Sequence, residues 1–290
     1  MNTLPYRILA IDMDGTALNS SNTLSPANRR ALARATAAGV AVVPATGRLY
    51  AGLPGELDAV PGIRYFLCSN GAVVYDRPAH RILHQVLLPS ALAVSALHLL
   101  AAHGGMADVY MEGRAYTSRE RYENPLACGV LPGHVGTFLR SRTPVEDLAG
   151  FVAGHGRPVE KIFSVFHDMR ARAACWDRLT ADTRLAVTTS YANAIEITDR
   201  AATKGGGLRA LSAYLHVPQA QVMAVGDGHN DIPMLDWAGL GVAMGNAAGS
   251  VKSHADALTG GCDADGLAQA IDRWILFPAG QNQISHHSPP

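Results

Sequence analysis

Three short stretches of unbroken apolar residues share one design along this chain. Ile8-Leu9-Ala10-Ile11 runs straight into Asp12, Val40-Ala41-Val42-Val43 leads to Thr46, and Val222-Met223-Ala224-Val225 runs into Gly226-Asp227. Continuous apolar runs of this length predict strands buried on both faces, as in a parallel sheet covered by helices. A helical pattern lies between the first two. Ser25 suits an N-cap, Pro26 the first helical position, the Ala/Leu/Arg-rich stretch to Ala38 the body, and Gly39 the stop. Strand, helix, strand in that order predicts a right-handed crossover and a doubly wound, Rossmann-like α/β fold. Ligands of such sheets bind beyond the carboxyl ends of the strands, which is where all three polar clusters fall.

The pattern changes in the middle of the chain. Helix-like stretches (Ser90 to His103, Ala171 to Asp182) alternate there with short candidate strands (Asp108 to Met111, Lys161 to Phe166), and none leads into an acidic cluster. The expectation is an inserted α+β cap over 83–191 in a parallel-sheet core made of 1–82 and 192–278. The tail 279–290, AGQNQISHHSPP, has little to bury and is expected to be mobile, with His286 and His287 solvated.

Composition narrows the class. With 290 residues, 48% hydrophobic and 17% charged, the chain has the balance of a globular protein large enough for two domains. Lys+Arg and Asp+Glu both number 24, so no bulk positive charge recommends a nucleic-acid partner. No uncharged apolar run approaches the ~18 residues of a membrane span. The opening MNTLPYRILAIDMDG lacks the pattern of a signal peptide, so a cytoplasmic location is expected. Four cysteines (Cys68, Cys128, Cys175, Cys262) form no CxxC pair and suggest neither a metal frame nor disulfides. Nothing in the sequence reads out an oligomeric state.

The chemistry concentrates in four places. Asp12-Met13-Asp14-Gly15-Thr16 puts two carboxylates at i and i+2 of an extended segment, hence on one side. Paired carboxylates repel unless a cation or a shared proton compensates. With a divalent cation Asp12 suits a nucleophile and Asp14 a general acid and base; an Asx-type turn at a strand end would satisfy the same residues. Thr46-Gly47-Arg48 offers a hydroxyl, a backbone N–H and a guanidinium to phosphoryl oxygens, or is simply a turn. Lys204, ahead of Gly205-Gly206-Gly207 and a helical stretch from Leu208 to Leu215, could neutralise charge shared by Asp12 and a phosphate, or be a solvated loop lysine. Gly226-Asp227-Gly228-His229-Asn230-Asp231 precedes a helix start at Ile232-Pro233, and its Asp227 and Asp231 are hard oxygen ligands suited to Mg²⁺. An EF-hand is excluded, because no bidentate Glu follows at the required position.

With these motifs in order, the chain resembles the haloacid dehalogenase-like (HAD) phosphatases, specifically the Cof-type branch with a type IIB cap. The resemblance runs from about Tyr6 to Trp274 and includes Ser69-Asn70-Gly71-Ala72, Met244-Gly245-Asn246-Ala247, Val251-Lys252, Ala255-Asp256 and Asp265-Gly266-Leu267. It implies that Asp12 is the nucleophile, Asp14 the general acid/base, and Thr46 a phosphoryl ligand, with Lys204 steadying nucleophile and phosphate. It implies Mg²⁺ on Asp12, the backbone carbonyl of Asp14, and Asp227, with Asn230 and Asp231 in support. Asn70 and Gly71 fall, by the same resemblance, near the phosphate or its leaving group. The partner so implied is a small phosphorylated metabolite, a sugar phosphate or a phosphorylated cofactor, with Tyr110, Glu112, Arg114, Tyr116, Arg119, His134, His167 and Tyr191 of the cap as candidates to set specificity. Two positions depart from the branch: Ala17 where Leu is common, and His229 where Glu is common. A phosphomutase-type transfer between sugar hydroxyls is the alternative reaction. A receiver-like signalling module is the alternative class, disfavoured by length and by the aspartate pair on the first strand.

Overall fold

The protein is described by a computed structural model covering residues 4–53 and 55–278. The expected tail 279–290, with His286 and His287, lies outside the described residues. The chain divides into two compact units: one from the described parts of 1–45, 54–65 and 208–290, the other from 46–53 and 66–207.

In the first unit all three apolar runs become strands, Ile8–Ile11, Ala41–Pro44 and Val222–Gly226. They belong to one five-stranded sheet, which continues through Leu240–Ala243 to Ala257–Leu258. Every pairing in it is parallel, and Ile8–Ile11 lies between Val222–Gly226 and Ala41–Pro44. All four residues of that central strand are wholly buried, which is why its sequence is apolar at every position rather than at alternate ones. The register brings Ile11 opposite both Pro44 and Val225, so neighbouring strands finish level with one another. Backbone bonds from Asp12 N–H to Val225 O (2.9 Å) and Ala45 N–H to Ile11 O (2.7 Å) carry the alignment one residue past the strands.

The helix Pro26–Ala37 has the expected signals. Ser25 Oγ accepts from the Asn28 N–H, proline opens the first turn, and Gly39 leaves it at a φ of +92°. Asn28, buried on this helix, donates to Ala17 O (3.1 Å) and accepts from Ala268 N–H (3.0 Å). One buried amide thus ties the loop after the first strand to the helix Gly266–Ile271.

The second unit is built on a six-stranded sheet in the order Leu185–Thr188, Ala194–Asp199, Lys161–Val165, Met106–Met111, Arg114–Ser118, Arg142–Val145. Its pairings are antiparallel except the last. Helices Ser90–Ala102, Leu148–His155 and Met169–Thr180 contribute Leu97, Leu100, Val152, Cys175 and Leu179 to a core with Val109, Ile162 and Ile195 of the sheet. A three-stranded sheet of Tyr65–Cys68, Val73–Asp76 and Arg81–Gln85 completes the strands. Among the described residues no helix is long and apolar enough to cross a membrane.

One local expectation is corrected. The helix expected from Leu208 begins at Lys204 and runs to Tyr214, so Gly205, Gly206 and Gly207 form its first turn rather than a free loop. The physical reason is close approach. A Cβ on Gly206 would lie 2.6 Å from Ala201 O, and one on Gly207 3.0 Å from Gly71 O. Thr203 caps the turn, its Oγ1 accepting from Gly206 N–H (3.0 Å).

Candidate active site

Within the first unit, the loops after Ile8–Ile11 and Val222–Gly226 bring three carboxylates together. Asp12, Asp227 and Asp231 each present an oxygen such that all lie within 4.8 Å of one another. Asp12 and Asp231 are buried and Asp227 is half-buried. Asp14 is exposed, in a turn bridged to Leu18, and its side chain is not one of the three.

Two of the acids, Asp231 and Asp227, are held by specific donors. Asp231 Oδ2 accepts from the Asp227 N–H (3.0 Å) and the Gly228 N–H (2.8 Å), closing the turn on itself. A Cβ on Gly226 would lie 2.6 Å from that carboxyl group, so the close wrap requires glycine. Asp227 Oδ1 accepts from the Thr16 hydroxyl (2.9 Å), and its Oδ2 from Asn246 Nδ2 (3.0 Å). Asn246 Nδ2 also donates to Gly15 O (2.9 Å), while its Oδ1 accepts from Cys262 N–H (2.8 Å). Gly15, at a φ of +82°, leaves room for Asp227 where any Cβ would collide with its carboxylate. His229 is exposed and meets Ser250 through Nε2 at 3.0 Å, so its ring serves the neighbouring helix Gly249–Lys252. The donor set is wholly hard oxygen, and it fits a hard divalent cation such as Mg²⁺ better than a metal that prefers nitrogen or sulfur.

The second unit holds Thr46, Gly47, Arg48, Asn70, Gly71 and Lys204. Thr46, Asn70, Gly71 and Lys204 are buried. Asn70 N–H donates to Thr46 O (3.0 Å), and Arg48 N–H donates to Thr46 Oγ1 (3.1 Å), so that hydroxyl takes a donor and can direct its own proton outward. Ser69, Asn70 and Gly71 sit at φ of +51°, +58° and +88°, three successive left-handed residues that turn the chain sharply after Tyr65–Cys68. A Cβ on Gly71 would collide with Thr203 O and lie 2.9 Å from the Lys204 N atom. Gly71→Ala therefore combines a strained φ with a clash against rigid backbone. The expected cost is about 2–4 kcal/mol, seen as a fall in melting temperature. Gly52→Ala, where no atom stands within 4 Å, is the control and is expected to leave it in place.

Of the cap residues singled out from the sequence, several are committed elsewhere. Tyr116 stacks on Phe151 in the core, Arg119 pairs with Glu146, and His167 Nε2 contacts Ala127 O at 2.8 Å. Tyr110 is buried and its hydroxyl accepts from Arg142 (2.9 Å). Glu112 pairs with Arg157 (2.8 Å) at a cavity of about 550 Å³, where Tyr50 and Tyr75 stack at 4.1 Å. Apart from Glu112, the residues around this cavity were not singled out from the sequence, nor were the buried Lys161 and Glu196, which stand there apart from any motif.

Comparison with known proteins agrees with this arrangement. A family profile described as haloacid dehalogenase-like hydrolase matches residues 9–271. Phosphatase YwpJ of Bacillus subtilis is 31% identical over 290 residues, spanning 91% of this chain and 98% of that protein. Pyridoxal phosphate phosphatase YbhA of Escherichia coli is 29% identical, over 91% of this chain and 97% of its own. The solved structure of a haloacid dehalogenase-like hydrolase from B. subtilis superposes with a TM-score of 0.81 at 29% identity, covering 93% of this chain and all of the other. With motifs, parallel sheet and relatives in accord over nearly its full length, the chain belongs to the haloacid dehalogenase-like hydrolases, among the phosphatases of that family.

Proposed function

We propose that this protein hydrolyses a small phosphomonoester, a sugar phosphate or a phosphorylated cofactor, through a phosphoryl group carried transiently on Asp12. The observation that carries this reading is the convergence of Asp12, Asp227 and Asp231 at the carboxyl end of the parallel sheet. An Asp12 carboxylate oxygen attacks phosphorus, and the bond to the ester oxygen breaks with its electron pair leaving on that oxygen. Asp14, exposed beside the nucleophile in sequence, gives the leaving alcohol its proton. Water then attacks the phosphorus of the aspartyl-phosphate, Asp14 takes the proton, and inorganic phosphate departs as Asp12 is restored.

The Thr46 hydroxyl and the Arg48 guanidinium serve as donors to phosphoryl oxygens, with Asn70, Gly71 and Asn230 shaping the remainder of the phosphate and leaving-group surface. Lys204 supplies a buried positive charge that offsets the negative charge of the transferred group. Asp12, Asp227 and Asp231, together with the Asp14 carbonyl, would hold Mg²⁺, which when bound supplies charge neutralisation for nucleophile and phosphoryl oxygens. The segment 83–191, together with the strand Ala194–Asp199 that its sheet includes, serves as the cap that selects the ester, and the likeness to a pyridoxal phosphate phosphatase supports a phosphorylated metabolite of that size.

The test is a panel of sugar phosphates and phosphorylated cofactors, assayed for inorganic phosphate with Mg²⁺ present. Release from at least one member well above background is expected. No release from any member would overturn the reading, and phosphate moved to a second hydroxyl without release would point to mutase-type transfer instead.

A further inference from the structure

Beneath the Thr46–Gly47–Arg48 turn lies a buried ion pair to which no catalytic motif assigns a role. Lys161 Nζ donates to Gly47 O (2.6 Å) and to Glu196 Oε2 (2.9 Å). Glu196 Oε2 also accepts from Asn70 Nδ2 (2.6 Å), and Ser190 Oγ donates to Glu196 Oε1. Lys161 is 3% exposed and Glu196 2%, so both charges are withdrawn from solvent and rely on each other. Burial alone would push the Glu196 carboxyl up; the Lys161 ammonium, with hydrogen bonds from Ser190, Lys161 and Asn70, holds it below the usual range. It stays ionised at neutral pH.

An isolated pair of this kind contributes little to stability, because the cost of desolvating two charges rivals their attraction. What it does supply is position. Lys161 opens one strand and Glu196 lies in the next, with Glu196 opposite Phe163, so the sheet itself sets where both heads reach. One head grips the Gly47 carbonyl and the other fixes the Asn70 amide, nitrogen toward the carboxylate. Gly47 is glycine here for a related reason: a Cβ would lie 2.9 Å from Asn70 Oδ1 and 3.2 Å from Lys161 Nζ.

We infer that Lys161 and Glu196 are positioning residues for phosphoryl binding, holding Gly47 and Asn70 so that the Thr46 hydroxyl and the neighbouring backbone face the phosphate. The inference rests on the proposed phosphatase reading and adds two residues to it. Neither is a catalytic residue, since both act through the loop. The loop binds phosphoryl oxygens in ground state and transition state alike, so loosening it weakens binding of both together.

The experiment compares wild type, Lys161→Met and Glu196→Gln with p-nitrophenyl phosphate at saturating Mg²⁺, each with its melting temperature. Lys161→Met is expected to raise KM, and the inhibition constant of inorganic phosphate, about 10-fold or more, with kcat within about 3-fold. Glu196→Gln, which keeps the volume and removes the charge, is expected to shift the same two constants in the same direction. If Lys161→Met fails to fold, Glu196→Gln alone decides. A folded variant with KM and the phosphate constant within 2-fold of wild type would overturn the inference, as would a loss confined to kcat or to melting temperature. Wild type inactive on this ester and on the metabolite panel defeats the phosphatase reading and this inference with it; an active wild type with indifferent variants defeats the inference alone.

Discussion

Asp12→Asn is expected to lower kcat by about 10⁴-fold or more while leaving the fold intact and the apo protein no less stable than wild type. The size follows from the proposed role: removing a covalent nucleophile would remove the route itself, and losses for such groups are among the largest in enzymes. The stability half follows from the cluster. Two like charges about 4 Å apart interact by roughly 4 kcal/mol at an effective dielectric near 20, reduced at Asp227 by its partial exposure. Without a cation, one fewer carboxylate among Asp12, Asp227 and Asp231 relieves part of that repulsion. Steady-state assay and thermal unfolding in chelator together check both halves. Near-normal turnover would refute the nucleophile, and a collapsed fold would show that Asp12 also bears structure.

Chelation is expected to abolish phosphate release, and added Mg²⁺ to restore it. Activity alone would leave the place of binding open, so melting temperature is the second measurement. A ligand at ~100 times its dissociation constant stabilises the native state by about 2.7 kcal/mol, or roughly 5–10 °C for a chain of this size. Asp227→Asn should lose both the activity and the thermal shift. The side chain keeps its volume, and its oxygen can still accept from Asn246; its NH₂ would donate to the Thr16 hydroxyl, which must then turn its own proton away, so charge is removed at nearly constant packing. Turnover that survives thorough chelation would remove the metal from the proposal.

The parallel sheet was legible because burial on both faces leaves a signature no surface strand shares: Ile8–Ile11 and Val222–Gly226 are apolar throughout and stop at an aspartate or glycine. The helix at Pro26–Ala37 was legible through its caps. Leu240–Ala243 and Ala257–Leu258 were not read as strands, since the first contains a glycine and the second is two residues long. Their place comes from the neighbour they pair with, which local pattern does not encode. The glycines after Lys204 misled for a similar reason. They read as freedom, yet the helix needs them for want of room beside Ala201 and Gly71.

In the site, the acids announced themselves by spacing, and their holders did not. Thr16 and Asp227 are 211 positions apart, and only the sheet register brings them to 2.9 Å. Lys161 opens a stretch expected only as a short strand, and Glu196 falls in one not singled out from the sequence, where a charge among apolar neighbours carries no visible pattern. Sequence displays the groups that need a fixed spacing for chemistry. The groups that need only one partner, at any distance along the chain, become visible after folding.

Asn246 shows how narrow such a requirement becomes. Its nitrogen faces an anion and a carbonyl, and its oxygen faces an N–H. Aspartate, differing by a single atom, would turn a fourth negative group toward Asp227; lysine would offer no acceptor to Cys262; leucine would offer neither. Among short side chains only a carboxamide answers all three neighbours, so this exposed position, where drift would ordinarily be harmless, is chemically as constrained as the acids it serves.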